Sequence, residues 1–92
     1  MLTLEVTYRL HPGMRDLFMQ EIENLQIAEK SQQEAGNHQY EYVLPVDEPD
    51  TVYLFEIWDS EEVQKKHMET AHFAHLGDLK KKYVSDVQII KK

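Results

Sequence analysis

The segment 51–58 most constrains how this chain folds, because it has the period of a β-strand and apolar side chains on both faces. One face carries Val52, Leu54, Glu56 and Trp58, and the other carries Tyr53, Phe55 and Ile57. A strand of this kind lies in the middle of a sheet that is covered on both sides. The sequence therefore predicts a central strand here, with further structure against each face of its sheet.

The residues before this strand predict a strand, a helix and a second strand. Apolar and polar residues alternate from 2 to 10, which is the period of a half-buried strand. From 14 to 33 apolar residues recur at steps of three and four, the period of an amphipathic helix, and Gly36 is suited to end it. The second strand is expected at 40–46, where Pro45 ends it or marks an edge.

The residues after the central strand predict a helical region and a closing strand. Asp59, followed by Glu61 and Glu62, has the pattern of a helix cap with an acidic first turn. A break near Thr70, itself a candidate cap, leads to a second helical stretch and then to a strand at 83–90. The order β-α-β-β-α-β is the split βαβ arrangement, a ferredoxin-like α+β fold with a four-stranded antiparallel sheet and its helices on one face.

Length and composition limit the chain to one domain, residues 1–92. Domains this short bury only about 60–65% of their unfolded surface and are often marginal alone. The chain has no cysteine, which excludes disulfides, thiolate metal sites and a cysteine nucleophile. Because one sheet face has no element left to cover it, we expect a homodimer in which a second copy does so. The alternative is a monomer with a wet outer sheet face.

The charge balance narrows the classes of partner. Seventeen Asp and Glu residues against ten Lys and Arg give a net charge of −7, which argues against nucleic acid or an anionic membrane as the main partner. No stretch approaches the ~20 apolar residues of a membrane span, and the first residues lack the pattern of a signal peptide. We therefore expect a cytoplasmic protein. No Gly-rich phosphate loop, nucleotide fingerprint or Ser/His/Asp arrangement is present.

Histidines are the candidate carriers of chemistry, and His67, His72 and His75 lie within nine positions. No H-E-x-x-H motif or second carboxylate-bearing segment accompanies them, so we expect no metal site. His67 follows Val63 by four residues and is expected to point toward the sheet side that carries Trp58. A neutral imidazole there could relay a proton near neutral pH. The alternative, which spacing alone favours, is a core histidine bonded to a backbone carbonyl.

Aromatic residues could line a space beside this histidine. Tyr8, Tyr40 and Tyr42 are expected on the same apolar layer as Trp58. A gap between sheet and helices with such walls would accept a flat, partly apolar molecule. A plain hydrophobic core is equally consistent with these residues, so the pattern leaves both alternatives open.

Four motifs, which together cover nearly the whole chain, resemble the antibiotic biosynthesis monooxygenase family. They are Met1-Leu2-Thr3-Leu4 through His11-Pro12-Gly13, Glu34-Ala35-Gly36-Asn37-x-x-Tyr40-Glu41, Phe55-Glu56-Ile57-Trp58-x-x-Glu61 and His67-x-x-Thr70-x-His72-Phe73. The resemblance implies a dimeric α+β barrel with a pocket between sheet and helices in each subunit. Members of the family include quinol monooxygenases and anthrone-type oxygenases, which use O₂ without metal or flavin because the deprotonated substrate is itself the reductant.

For this chain the resemblance implies a cofactor-independent monooxygenase whose partners are O₂ and a small quinol-like or polyphenolic substrate. It implies catalytic roles for Trp58, His67 and His72, with His67 as general base or proton relay. It also implies substrate-binding roles for a second set of residues, namely Tyr8, Tyr42, Glu56 and Phe73.

Two relatives of the family imply other activities. The run Glu34–Asn37 is similar to the branch that isomerises phospho-autoinducer-2, a small phosphorylated signalling metabolite. That reaction calls for a cationic pocket, and few cations precede residue 65. Haem-degrading members carry an Asn on the first strand, where this chain has Thr3 and Thr7. A further alternative, from another class, is a non-catalytic dimer that binds a small molecule.

Overall fold

The computed structural model describes residues 1–92, which form four strands and four helices. The strands are β1 (Leu2–Leu10), β2 (Asn37–Val43), β3 (Thr51–Trp58) and β4 (Val84–Lys91). The helices are α1 (Arg15–Asn24), α2 (Ile27–Gln32), α3 (Glu61–His67) and α4 (Ala71–Tyr83). The predicted ferredoxin-like α+β order is confirmed, and each of its two helical regions consists of two helices.

The sheet has the strand order β2-β3-β1-β4, and every neighbouring pair is antiparallel. β3 lies between β2 and β1, so the predicted central strand is confirmed. In the register of the sheet, Leu4 lies opposite Glu56, and Val6 lies opposite Leu54 on one side and Ile89 on the other. These residues face the helices, so the register decides which side chains meet the space beneath α3 and α4.

The single helix predicted over 14–33 is wrong, because the chain turns at Gln26. Gln26 has a φ of 55°, a left-handed conformation that ends the first helix and begins another in a new direction. The turn lets Ile27 become fully buried and brings α2 against β2. β2 also begins earlier than predicted, at Asn37 instead of residue 40, because an irregularity between Asn37 and Gln39 extends its pairing with β3 as far as Trp58.

Side chains cap the two helices that cover the site. Ser60, not the predicted Asp59, caps α3: the Val63 N–H donates to Ser60 Oγ at 3.2 Å. Asp59 instead binds the ring of His38. The predicted break at Thr70 is confirmed, since Thr70 Oγ1 accepts from the Phe73 N–H at 3.2 Å and begins α4. The two caps fix where each helix starts, and so where each presents its inner face.

Gly36 is required where the α2–β2 loop passes close to α3. Its φ is 88°, and a Cβ added there would lie 2.7 Å from Val63 Cγ1. Only a residue without a side chain fits both conditions. Gly36 therefore keeps the loop that carries Glu34 close to the helix that carries His67.

The hydrophobic core lies between the helices and one face of the sheet. Its largest fully buried side chains include Phe18, Tyr40 and Trp58. The opposite sheet face carries Tyr53, Phe55 and Ile57, which are only half-buried, and Ile90, which is 47% exposed. The chain thus covers one face of its sheet and leaves apolar side chains on the other. None of its helices combines the length and the apolar character that crossing a membrane requires.

Candidate functional site

A cavity of about 100 Å³ lies between the sheet and the helices α3 and α4. Its walls are mainly apolar, and its polar groups come from Tyr8, Tyr40, Glu56, Gln64, His67 and Lys80. Val87 and Ile89 of β4 form one rim and remain 39% and 60% exposed. The cavity is therefore open toward β4, the edge strand that the helices leave partly uncovered.

His67 is a buried histidine in the wall of this cavity. It is the last residue of α3, is only 2% exposed, and lies against the Trp58 ring with a centroid distance of 4.6 Å. Tyr40 and Phe73 contact its ring at centroid distances of 5.6 and 5.2 Å. His67 therefore faces the sheet side that carries Trp58, inside an aromatic enclosure.

The partner of His67 is Glu34, a carboxylate, and not the backbone carbonyl that the core-histidine interpretation requires. Glu34 Oε2 lies 2.6 Å from His67 Nδ1 and 2.7 Å from His72 Nε2. Glu34 belongs to the loop between α2 and β2 and is 17% exposed. The sequence pattern gave Glu34 no role of its own, although a buried histidine requires a partner and Glu34 lies in one of the resemblance motifs.

The contact with Glu34 determines the tautomer of the His67 ring, and burial determines its charge. A neutral imidazole that donates its Nδ1–H to a carboxylate carries its lone pair on Nε2. His67 Nε2 has no protein partner, and no fully buried side-chain nitrogen or oxygen of the chain lacks one, so Nε2 is in contact with solvent-accessible space. Burial lowers the pKa of His67 and outweighs the opposing effect of Glu34. The ring is therefore a neutral base at pH 7.

Trp58 and Glu56 lie on β3 beneath the His67 ring. They lie two residues apart on the same face of β3, and the Trp58 Nε1–H donates to Glu56 Oε1 at 3.0 Å. Glu56 is 6% exposed, and its burial raises the pKa of the carboxyl group. Trp58 is fully buried and does not line the cavity, so its contact with the site passes through His67 and Glu56.

The other residues predicted for the site lie in different places. Tyr8 and Phe73 line the cavity, as do Glu56 and His67. His72 is 12% exposed and does not line the cavity. It contacts the site through Glu34 Oε2 and through the His67 ring, whose centroid lies 5.6 Å from its own.

Tyr42 is not a wall of this cavity. In the strand register it lies opposite Leu54, whereas Tyr40 lies opposite Glu56, so Tyr42 is displaced along β2 toward α1 and α2. There it lines a separate groove, and its hydroxyl reaches the site only through a 3.2 Å bond with the Tyr40 hydroxyl.

Lys80 belongs to the cavity, although its place in the run 80–82 indicates only a cation at the end of a helix. Its Nζ lies 5.4 Å from the centroid of the Phe73 ring. Burial lowers the pKa of Lys80, and the charge of Glu56 opposes this effect. Phe73, Leu76 and Lys80 are spaced three and four residues apart, so helical periodicity could have placed Lys80 on the inner face of α4.

One cluster has the composition of a metal site. Donor atoms of Glu34, His67 and His72 all lie within 4.8 Å of one another. The two Glu34 distances, 2.6 and 2.7 Å, are hydrogen-bond lengths, whereas ligands held 2.0–2.2 Å from zinc lie about 3.3 Å apart. The arrangement is that of a hydrogen-bonded triad, and the expectation of no resident metal stays a prediction.

Comparison with known proteins establishes the family. Residues 1–78 match the family model described as antibiotic biosynthesis monooxygenase. The chain belongs to this family. The Bacillus subtilis (strain 168) protein named "Putative monooxygenase YcnE" is 36% identical over 73 residues, which are 79% of this chain and 75% of the relative. The predicted family membership is confirmed, and together these similarities support a monooxygenase-like function.

Solved structures share the fold over nearly the whole chain. The PA3566 protein of Pseudomonas aeruginosa is 25% identical, with a TM-score of 0.89 over 99% of this chain and 90% of that one. A Nitrosomonas europaea protein whose name places it in the same family is 20% identical, with a TM-score of 0.90 over 100% of this chain and 96% of that one. The ferredoxin-like α+β architecture is therefore that of the family.

Proposed function

We propose that this member of the antibiotic biosynthesis monooxygenase family is a cofactor-independent monooxygenase that oxidises a small quinol-like or polyphenolic compound with O₂. The observation that carries the proposal is His67, a neutral imidazole held through Nδ1 by Glu34, with its Nε2 open to a cavity that has aromatic walls. Family membership supports monooxygenase chemistry in general, and the cavity beside His67 supports a small aromatic substrate.

The reaction begins with proton transfer from a phenolic hydroxyl group of the substrate to His67 Nε2. Glu34 stabilises the imidazolium that forms, because its carboxylate lies 2.6 Å from the Nδ1–H. The phenolate is the electron donor for O₂. One quinol and one O₂ give one hydroxyquinone and one water: one oxygen atom enters the ring, the other leaves in water, and the substrate supplies all four electrons.

The size of the cavity limits the substrate. Its volume of about 100 Å³ is below the roughly 300–1,000 Å³ of ordinary ligand pockets. A single aromatic ring is the scale of ligand that such a space admits near the open rim at β4, whereas a flavin or a haem would require the walls to move apart. This supports a small quinol and a reaction in which the substrate is the only reductant.

Oxygen consumption by the purified protein tests the proposal. A panel of quinols and anthrones is supplied with air, and O₂ uptake is compared among wild type, His67→Ala and His75→Ala, the last a control on the exposed side of α4. We expect uptake with at least one quinol, a decrease of about 10²–10⁴-fold in kcat for His67→Ala, and no change for the control. Absence of protein-dependent uptake across the panel, or full activity in folded His67→Ala, would refute it.

The same panel separates the alternative activities. Ligands that raise the melting temperature without any O₂ uptake would indicate a non-catalytic binding protein. An isomerase of a phosphorylated metabolite is less well supported, because Lys80 is the only lysine or arginine at the cavity and the carboxyl group of Glu56 lines the same cavity. Thermal protection by a phosphosugar would favour that activity.

We propose that a second copy of the chain covers the outer sheet face and makes the protein a homodimer. The proposal is supported by the uncovered apolar side chains of that face, among them Phe55 and Ile57 of β3 and Ile90 of β4. Sedimentation velocity tests it with Phe55→Lys and with a control, Leu17→Lys, which places the same charge at an exposed residue of α1. We expect a monomer only for Phe55→Lys, and a wild-type monomer at micromolar concentration would contradict the proposal.

A further inference from the structure

Three consecutive lysines lie in the last turn of α4, and they differ in their exposure and contacts. Lys81 and Lys82 are exposed, and Lys82 lies 3.6 Å from Glu21 at the surface. The side chain of Lys80 is half-buried, lines the cavity and makes no ion pair. A helical run of lysines supports the negative end of the helix dipole, but this role does not require the first of them to enter an apolar cavity.

The surroundings of Lys80 leave its ammonium group without full compensation. Burial lowers the pKa of Lys80, which means that the charged form has lost hydration. The face of Phe73, 5.4 Å from Nζ, and the charge of Glu56 replace part of that hydration. A positively charged group held in this way at the wall of a cavity attracts an anionic ligand.

The other titratable groups at the cavity limit the kind of anion. Glu56 projects from β3, His67 from α3, Tyr8 from β1 and Tyr40 from β2, while β4 contributes only Val87 and Ile89. Lys80 is therefore the one lysine or arginine present, and Glu56 adds negative charge. The cavity therefore lacks the net positive charge that a dianionic phosphate requires. A flat ring with a single negative oxygen suits one ammonium group and apolar walls.

We propose that Lys80 binds the anionic oxygen of the ligand, so that the cavity selects small phenols and enols and holds them as phenolate or enolate. The inference rests on the proposed function and deepens it, because it assigns the counter-charge for the deprotonated substrate. It also names the property that decides selectivity, which is the acidity of the hydroxyl group on a single ring.

The consequence is a lower pKa for a bound phenol. An opposite charge within a few ångströms lowers the pKa of an acid by about 1–3 units, and one unit corresponds to a tenfold preference for the anion. The proton that the phenol loses goes to water or to His67 Nε2. Because ionisation needs no O₂ and no turnover, it can be measured apart from the oxygenase reaction.

The probe is 4-nitrophenol, whose anion is yellow and whose neutral form is not. It is titrated with wild type, Lys80→Met and the neighbouring control Lys81→Met under nitrogen, and the pKa of the bound probe is read from its absorbance. We expect a bound pKa about one unit or more below that of free 4-nitrophenol for wild type and Lys81→Met. The shift disappears in Lys80→Met, and Lys80→Arg restores it in part.

A second measurement separates loss of charge from loss of the site. At pH 5 the probe is neutral, and we expect Lys80→Met to bind it with the wild-type Kd because the apolar walls are intact. The inference is overturned if wild type does not bind 4-nitrophenol, if the bound pKa is unshifted, or if the shift persists in Lys80→Met. Displacement of the nitrophenolate by equimolar inorganic phosphate would overturn it as well. O₂ uptake with a quinol would still stand in each case, so the two failures are distinguishable.

Discussion

Replacing Glu34 by glutamine tests the central contact of the site. The change keeps the size of the side chain and an oxygen acceptor but removes the negative charge that lies 2.6 Å from His67 Nδ1 and 2.7 Å from His72 Nε2. A glutamine can also donate from its amide nitrogen. His67 is then free to adopt the tautomer with its proton on Nε2, which removes the lone pair from the atom that faces the cavity.

The magnitude follows from the two contacts. Hydrogen bonds to a charged group contribute about 1.5–3 kcal/mol, and neutral ones about 0.5–1.5 kcal/mol. The loss is about 1 kcal/mol per contact, so Glu34→Gln is expected to lower the free energy of unfolding by about 2 kcal/mol, reduced somewhat because Glu34 is 17% exposed. For catalysis we expect a decrease in kcat of about 10²–10⁴-fold, since the corresponding amide replacement in a Ser-His-Asp triad costs about 10⁴ through the wrong histidine tautomer.

The pH dependence gives a readout that a purely structural role of Glu34 would not change. Both effects of Glu34 raise the pKa of His67, so the glutamine variant has a lower His67 pKa than wild type. The acid limb of the kcat/KM profile therefore moves to lower pH.

For stability, the folded pKa of His67 already lies below the unfolded value of about 6.5, so stability is present above pH 6.5 and falls as the pH drops through that value. In the Glu34→Gln variant, the loss of folding stability continues to a lower pH, because its folded His67 pKa is lower.

Urea denaturation across pH, O₂ uptake across pH and ¹⁵N spectra of the histidine rings measure the three effects. Glu29→Gln, at an exposed residue of α2, is the matched control and should change none of them. A Glu34→Gln protein with wild-type kcat, or with an unchanged acid limb, would show that Glu34 does not position His67. A His67 signal with its proton on Nε2 in the wild type would contradict the argument directly.

Three further predictions concern the frame of the site. Gly36→Ala should destabilise the fold by about 1–3 kcal/mol in urea, because its positive φ and the 2.7 Å approach to Val63 both oppose a Cβ. Gly77→Ala, in open space on α4, should stabilise it by about 0.5–1 kcal/mol, and equal effects at the two glycines would contradict the reasoning. Thr70→Ala should cost about 1 kcal/mol through loss of the α4 cap, and Thr70→Ser should recover most of it.

Local sequence signals predicted those parts of the fold that depend on short-range physics. The alternation in β1, the two apolar faces of β3 and the break at Thr70 each report directly on burial or capping, and the structure contains all three. The turn at Gln26 escaped prediction because a left-handed glutamine has no local signal and is stabilised by the burial that it permits at Ile27.

For the site, the sequence predicted which types of residue are present, and the structure showed which of them are in contact. The sequence by itself determined the family, the ferredoxin-like order and a histidine facing Trp58, because periodicity and motif spacing are properties of neighbouring residues. Only the tertiary structure decided that Glu34, 33 positions from His67, is its partner, and that Tyr42 lies outside the cavity. These contacts depend on strand register and on how the α2–β2 loop meets α3, and no local pattern encodes the distance between segments that are far apart in the chain.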